Sequence, residues 1–144
     1  MGTRADFYVG KGKDAEWLGS IAWDGYRDGI DDDVLLATNE SAFRGAVTKF
    51  LSERDDATLP DQGWPWPWDD SRTSDCSYWF FGGKCWEAAG YPVDYFFPCD
   101  EPMPESDGPE IYQGRERVEF PNMAHLKNVT LGKRSGLTVL ITRG

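Results

Sequence analysis

Few residues in this chain have the reach for covalent or acid–base chemistry. The one histidine, His125, lies in Asn122-Met123-Ala124-His125-Leu126, apart from any Gly-x-Ser-x-Gly elbow that would present a serine to it. Cys76 and Cys85 fall in a segment that reads as a hairpin, where a small buried thiol is expected rather than a nucleophile; Cys99 follows an aromatic run. No phosphate-cradling GxGxxG or GxxxxGK[ST] occurs, and Gly10-Lys11-Gly12-Lys13 is too short to act as one. Zinc asks for four clustered Cys or His ligands, which one histidine and the Cys76-x8-Cys85 spacing do not supply. The acidic run from Asp24 to Asp33 fails the EF-hand template, because Tyr26 replaces a ligand and Leu35 stands where a bidentate Glu belongs. It reads as a solvated turn, with a looser divalent-cation site as the alternative. No catalytic residue, metal ligand or cofactor is assigned, and the lack of these motifs argues against an enzyme.

The sequence offers recognition chemistry instead. Aromatic residues make up 15% of the chain, with seven tryptophans, and three of these share the stretch Gly63-Trp64-Pro65-Trp66-Pro67-Trp68-Asp69-Asp70. Each proline fixes φ and lacks an amide hydrogen, so this piece is expected to be extended and stiff and excluded from a central strand. A stiff loop loses little entropy on binding, and aromatic anchors ringed by polar groups are typical of protein interfaces. Trp64, Trp66 and Trp68, with Asp55, Asp56, Asp61, Asp69, Asp70 and Asp75 around them, are therefore the expected partner-binding residues. Two alternatives stay open. The loop folds back as a lid on the core, or Trp23, Asp24, Trp66, Trp68, Asp69 and Tyr78 line a pocket for a small ligand or substrate.

Charge sets the kind of partner. The 144 residues carry 25 acids against 15 bases, a formal net charge of -10, and residues 53–114 hold fourteen of the acids against Arg54, Arg72 and Lys84 alone. Such a field repels phosphate backbones and attracts cationic surfaces, so a basic protein partner is expected and direct nucleic-acid binding is not. No apolar run approaches the roughly 20 residues needed to cross a bilayer. The first residues lack the pattern of a signal peptide, and an odd cysteine count argues against a disulfide framework, so a reducing cytoplasm and three free thiols are expected.

These residues need elements to hold them. Ala5-Asp6-Phe7-Tyr8-Val9 and Trp17-Leu18-Gly19-Ser20-Ile21-Ala22-Trp23 read as neighbouring strands, the second with Trp17, Gly19, Ile21 and Trp23 on one face. Phe43, Ala46, Val47, Phe50 and Leu51 follow helical spacing and predict a helix over about 39–54, capped by Thr38 or Asn39. Gly82-Gly83 predicts a two-residue type I′ turn that sets Trp79 opposite Trp86, stacked across the strands. Four prolines and five acids over 98–110 predict an exposed loop, and residues 128–131 and 136–142 read as a further strand pair. The expectation is one α+β domain over 1–144, a mostly antiparallel sheet with one main helix packed on one face.

Three stretches carry a resemblance. Arg4-Ala5-Asp6-Phe7-Tyr8-Val9-Gly10, Ala15-Glu16-Trp17-Leu18-Gly19-Ser20-Ile21-Ala22-Trp23-Asp24-Gly25-Tyr26 and Asp61-Gln62-Gly63-Trp64-Pro65-Trp66-Pro67-Trp68-Asp69-Asp70-Ser71 resemble a family of small proteins encoded by bacteria, their phages and prophages. The resemblance implies a mobile-element setting and transfers no functional residue. In that setting small acidic proteins without cofactors serve as inhibitors of host machinery, anti-CRISPR and other anti-defence proteins included. Some of those present carboxylates where a nucleic-acid channel expects phosphates. An accessory structural role in a mobile element is a further alternative.

Overall fold

Strand β1 (Ala5–Val9) turns Ala5, Phe7 and Val9 to one side and Asp6 and Tyr8 to the other, and both sides are buried. It forms the axis of the computed structural model, which describes residues 3–90, 93–105 and 108–127. Among the described residues the sheet has six strands in the order β3-β2-β1-β4-β5-β6. Those strands are β2 (Glu16–Ile21), β3 (Ala57–Thr58), β4 (Cys76–Phe81), β5 (Lys84–Ala89) and β6 (Tyr95–Pro98). Every pairing is antiparallel except the central one, where β1 runs parallel to β4 with Phe7 beside Tyr78 and Tyr8 beside Trp79. The molecule is a single α+β domain.

One face is covered as the periodicity predicts. Helix α2 (Glu40–Ser52) is capped by Asn39, whose side chain accepts from the Ala42 N–H at 2.8 Å. Its Phe43, Val47, Phe50 and Leu51 pack on Phe7, Ile21, Tyr78 and Phe80, with Phe43 stacked on Phe80 at 5.2 Å. A shorter helix α1 (Asp32–Leu35) adds Val34 and Leu35 to the same core. The other face is covered chiefly by loops among the described residues, with a helical turn at 124–127 at its edge. On this face Tyr8, Trp17, Trp79, Ala88 and Phe96 lie under the proline–tryptophan loop, Val118, Phe120 and Met123. Residues 116–118 also run beside β6, where the Phe96 N–H donates to Glu116 O and the Val118 N–H to Asp94 O, each at 3.0 Å.

Two expectations need correction. Trp17 and Ile21 do not share a face: β2 carries an irregularity in which Phe7 faces Gly19 but Tyr8 faces Trp17, so Leu18 is an extra residue. The bulge sends Trp17 to the tryptophan face and leaves Ile21 under α2. Glycine is needed there, because Gly19 holds φ +145 and a Cβ would sit 2.5 Å from Leu51 Cδ1 and 2.8 Å from Thr58 O. In the β4–β5 hairpin Gly82 and Gly83 both take positive φ and Trp79 does face Trp86. The two indoles nevertheless choose other partners. Trp79 lies flat on Tyr8 at 4.1 Å across the parallel seam, and Trp86 lies flat on Phe81 at 5.1 Å. The strands expected at 128–131 and 136–142 lie outside the described residues.

Candidate functional site

The tryptophan loop is held from below by a buried carboxylate. Asp6 is fully buried on β1, and each of its oxygens receives two donors. Oδ1 accepts from Ser20 Oγ and from Trp66 Nε1 at 2.8 Å; Oδ2 accepts from Ser71 Oγ at 2.6 Å and Ser74 Oγ at 2.8 Å. The hydroxyls are oriented in turn, since Trp17 Nε1 donates to Ser20 Oγ at 3.1 Å and the Tyr8 hydroxyl meets Ser71 Oγ at 2.5 Å. Burial pushes the Asp6 carboxyl above its usual pKa, and the four donors pull it back in part. A carboxylate with every strong acceptor direction filled ties the loop and the 71–74 turn to the sheet. It leaves no open coordination for a substrate.

The loop above this network is chiefly a cover. Trp64 is 1% exposed, meets Trp17 edge-on at 5.2 Å and donates from Nε1 to Trp68 O at 2.7 Å. Trp66 and Trp68 stack at 5.6 Å and keep partial exposure, with the Arg4 guanidinium over the Trp68 ring. The acids expected to rim a binding loop are mostly engaged within the molecule. Asp56 accepts from the Ala22 and Trp23 N–H groups and pairs with Arg54 at 2.7 Å. Burial raises its pKa, but Arg54 and those amides outweigh burial and hold it below the usual range. Asp70 caps the 71–73 turn through the Arg72 N–H, Asp69 pairs with Lys127 at 2.8 Å, and Asp75 accepts from the Arg4 N–H at 2.8 Å. Asp55 and Asp61 are exposed and make no ion pair among the described residues.

The proposed small-ligand constellation does not converge. Tyr78 lies under α2 and donates its hydroxyl to Gly25 O at 2.7 Å, whereas Trp66 and Trp68 lie on the opposite face of the sheet. A cleft of about 650 Å³ opens elsewhere, beside β6, lined by Lys11, Phe96, Glu116, Arg117, Val118 and Glu119. Lys11 is bound there to Glu116 at 2.9 Å, so its charge is already met.

Exposed aromatic surface is found instead on the turn after β2. Trp23 is 48% and Tyr26 59% exposed, and Asp24, Asp28, Asp31, Asp32 and Asp33 are exposed around them in sequence. The base of this turn is fixed. The Gly25 N–H donates to Thr3 O at 2.9 Å, Asp24 adopts a positive φ, and Gly29 packs so closely on the Asp24 carbonyl that a Cβ would lie 2.2 Å from it. Its one arginine points inward: Arg27 Nε meets Glu87 at 2.5 Å, and Nη1 and Nη2 donate to Glu101 O and Pro98 O. Asp24 pairs with Arg54 at 3.5 Å, while Asp28, Asp31, Asp32 and Asp33 make no ion pair among the described residues. The residues expected to meet a protein partner lie on the tryptophan loop and its acidic rim, and this turn is not among them. The usable signal was Trp23 and Tyr26 alternating with Asp-Gly pairs, a composition no core strand tolerates.

No group of three or more His, Cys, Asp or Glu side chains that could hold a metal ion occurs among the described residues. No helix among them is long and apolar enough to cross a membrane. Comparison with protein-family models, with curated proteins and with solved structures finds no match to this chain.

Proposed function

We propose that this protein is a non-enzymatic protein-binding module that meets a basic surface of its partner through the acidic, aromatic-tipped turn at residues 23–33. The observation that carries the reading is the pairing of two half-exposed aromatics, Trp23 and Tyr26, with four carboxylates that have no ion-pair partner among the described residues, on a turn whose backbone is pinned. Aromatic side chains supply contact area at low entropic cost, and uncompensated charge steers a cationic surface toward them. A pinned turn is already in its binding shape, which lowers the cost of association. In the mobile-element setting that the resemblance implies, the partner is a nucleic-acid-handling protein or complex of the bacterial cytoplasm. The module then acts as an inhibitor of anti-defence type, with carboxylates standing where phosphates would bind.

The test is capture of a basic protein from bacterial lysate on the immobilised protein, followed by kinetics with that protein in purified form. Asp28→Lys/Asp31→Lys/Asp33→Lys should slow association at least tenfold at low salt, and raised salt should have the same effect on the unaltered protein. Trp23→Ala/Tyr26→Ala should speed dissociation instead. A second arm, Asp69→Lys/Asp70→Lys, places the charge change on the tryptophan loop. Normal binding by the triple variant together with loss in the second arm would move the interface to the loop, and normal binding by both would sink the acidic-surface reading.

A further inference from the structure

We propose that Cys85 and Cys99 form a thiol pair that closes to a disulfide between β5 and β6 when a small-molecule disulfide such as oxidised glutathione is present, a modification separate from partner binding. All three cysteines carry free thiols in the structure, and the geometry of two of them is already close to that of a bond. The β5–β6 register pairs Trp86 with Pro98, so Cys85 and Cys99 are the next opposed pair, and the Cys99 N–H donates to Cys85 O at 3.1 Å. Opposed residues in such a pair have Cα atoms about 5.5 Å apart, inside the range a disulfide spans. Their sulfurs are 3.5 Å apart on the same face of the sheet. Closing to a bond of about 2 Å asks for a side-chain rotation and no movement of a strand.

The third cysteine is out of reach. Cys76 begins β4, whereas Cys85 faces Phe80 near the other end of that strand, four residues along, or roughly 13 Å. The surroundings also fix the pair. Arg27 Nη2 donates to Pro98 O at 3.3 Å and Nη1 to Glu101 O at 2.6 Å, so one guanidinium holds the backbone on both sides of Cys99. Its charge favours a thiolate at Cys85, although burial dominates and holds that thiol well above its usual pKa. Closure is therefore slow in the closed fold and begins at Cys99, the more exposed of the two, at the end of the outermost strand.

The chemistry balances in two exchanges. The Cys99 thiolate attacks one sulfur of oxidised glutathione, forming a mixed disulfide and releasing one glutathione thiolate. The Cys85 thiolate then attacks the Cys99 sulfur and releases the second. Two protein thiols are oxidised, one glutathione disulfide is reduced, and the two protons leave with the two glutathione molecules.

The experiment uses the full chain, reduced, freed of reductant and incubated folded with oxidised glutathione. Free thiols titrated after unfolding should fall from three to one, and peptide mapping should find Cys85 joined to Cys99. Dithiothreitol should restore all three, and the oxidised form should need more urea to unfold. Cys76→Ser should close as readily as the unaltered chain, and Cys99→Ser should not close. Three thiols surviving in the folded protein while the urea-unfolded chain is oxidised would overturn the proposal. So would a bond to Cys76, or a glutathione adduct on Cys99 that Cys85 never displaces.

Discussion

Asp94, one residue before β6, gives the sharpest test of the energetics. Its backbone carbonyl is used by Val118, but its half-buried carboxyl has no hydrogen-bond partner among the described residues, and burial alone pushes its pKa up to about 6. An unfolded chain holds the same group near 3.9. A carboxyl whose pKa is raised on folding contributes stability that is complete below about pH 4 and is lost as pH rises through 6, because above that the fold must hold a poorly solvated charge. About two pKa units at 1.36 kcal/mol each give about 3 kcal/mol for a dry site, and about 2 kcal/mol once screening at its exposed edge is allowed for. Asp94→Asn removes the charge and keeps the shape. Urea unfolding of both proteins from pH 4 to pH 8 should show the two stabilities diverging by about 2 kcal/mol between those limits, the variant gaining at high pH. Since both chains share every other titrating group, the difference isolates this one. Parallel curves, or a divergence centred near pH 4, would refute the account.

Asp6→Ala leaves four donors without their acceptor and should cost at least about 3 kcal/mol in the same unfolding assay, with a rise in tryptophan emission as the loop loosens. Gly19→Ala sets a methyl against Leu51 and the Thr58 carbonyl at a positive φ and should cost about 2 kcal/mol or more; a neutral result would mean the bulge can relax. Trp64→Ala should lose about 3–5 kcal/mol of stability, whereas Trp23→Ala should lose less than about 1 kcal/mol, so the two separate a core tryptophan from a surface one by thermal unfolding alone.

Local features were legible wherever a rule of short range decided them. Gly82-Gly83 determines the hairpin register without help from the rest of the chain, and the spacing from Phe43 to Leu51 with Asn39 ahead of it admits one helix face. The face of Trp17 was not legible, because period-two reasoning assumes an unbroken strand and Leu18 is the extra residue of a bulge. The tryptophan loop was legible as stiff, and a lid on the core was one of the readings it left open, but its anchor was not legible. What turns it inward is Asp6, which draws on Ser20, Trp66, Ser71 and Ser74 from three separate stretches of chain. One acid in an apolar strand signals either a solvent-facing position or a buried hub, and only the serine-rich segment that follows the tryptophans hints at the second. The partnered acids follow the same logic: Asp56, Asp69, Asp70 and Asp75 have the composition of a docking rim, but a cation or backbone amide absorbs each.

The parallel seam between β1 and β4 has a kinetic consequence. On one side of it β1, β2 and β3 with α2 form from the first part of the chain; on the other, β4, β5 and β6 form a meander of their own. Each half closes over shorter spans, the longest strand pairing being that between Ser20 and Thr58, but the seam joins residues such as Arg4 and Asp75 that are 71 positions apart. Closing so long a loop makes it the slow event of folding, and the burial of Asp6 with its distant serines belongs to that event. During synthesis the first strand therefore waits, with its edge open, until the fourth has left the ribosome. A fragment ending before Cys76 keeps that edge open for good, with Phe7 and Tyr8 beside it, and should aggregate where the full chain does not.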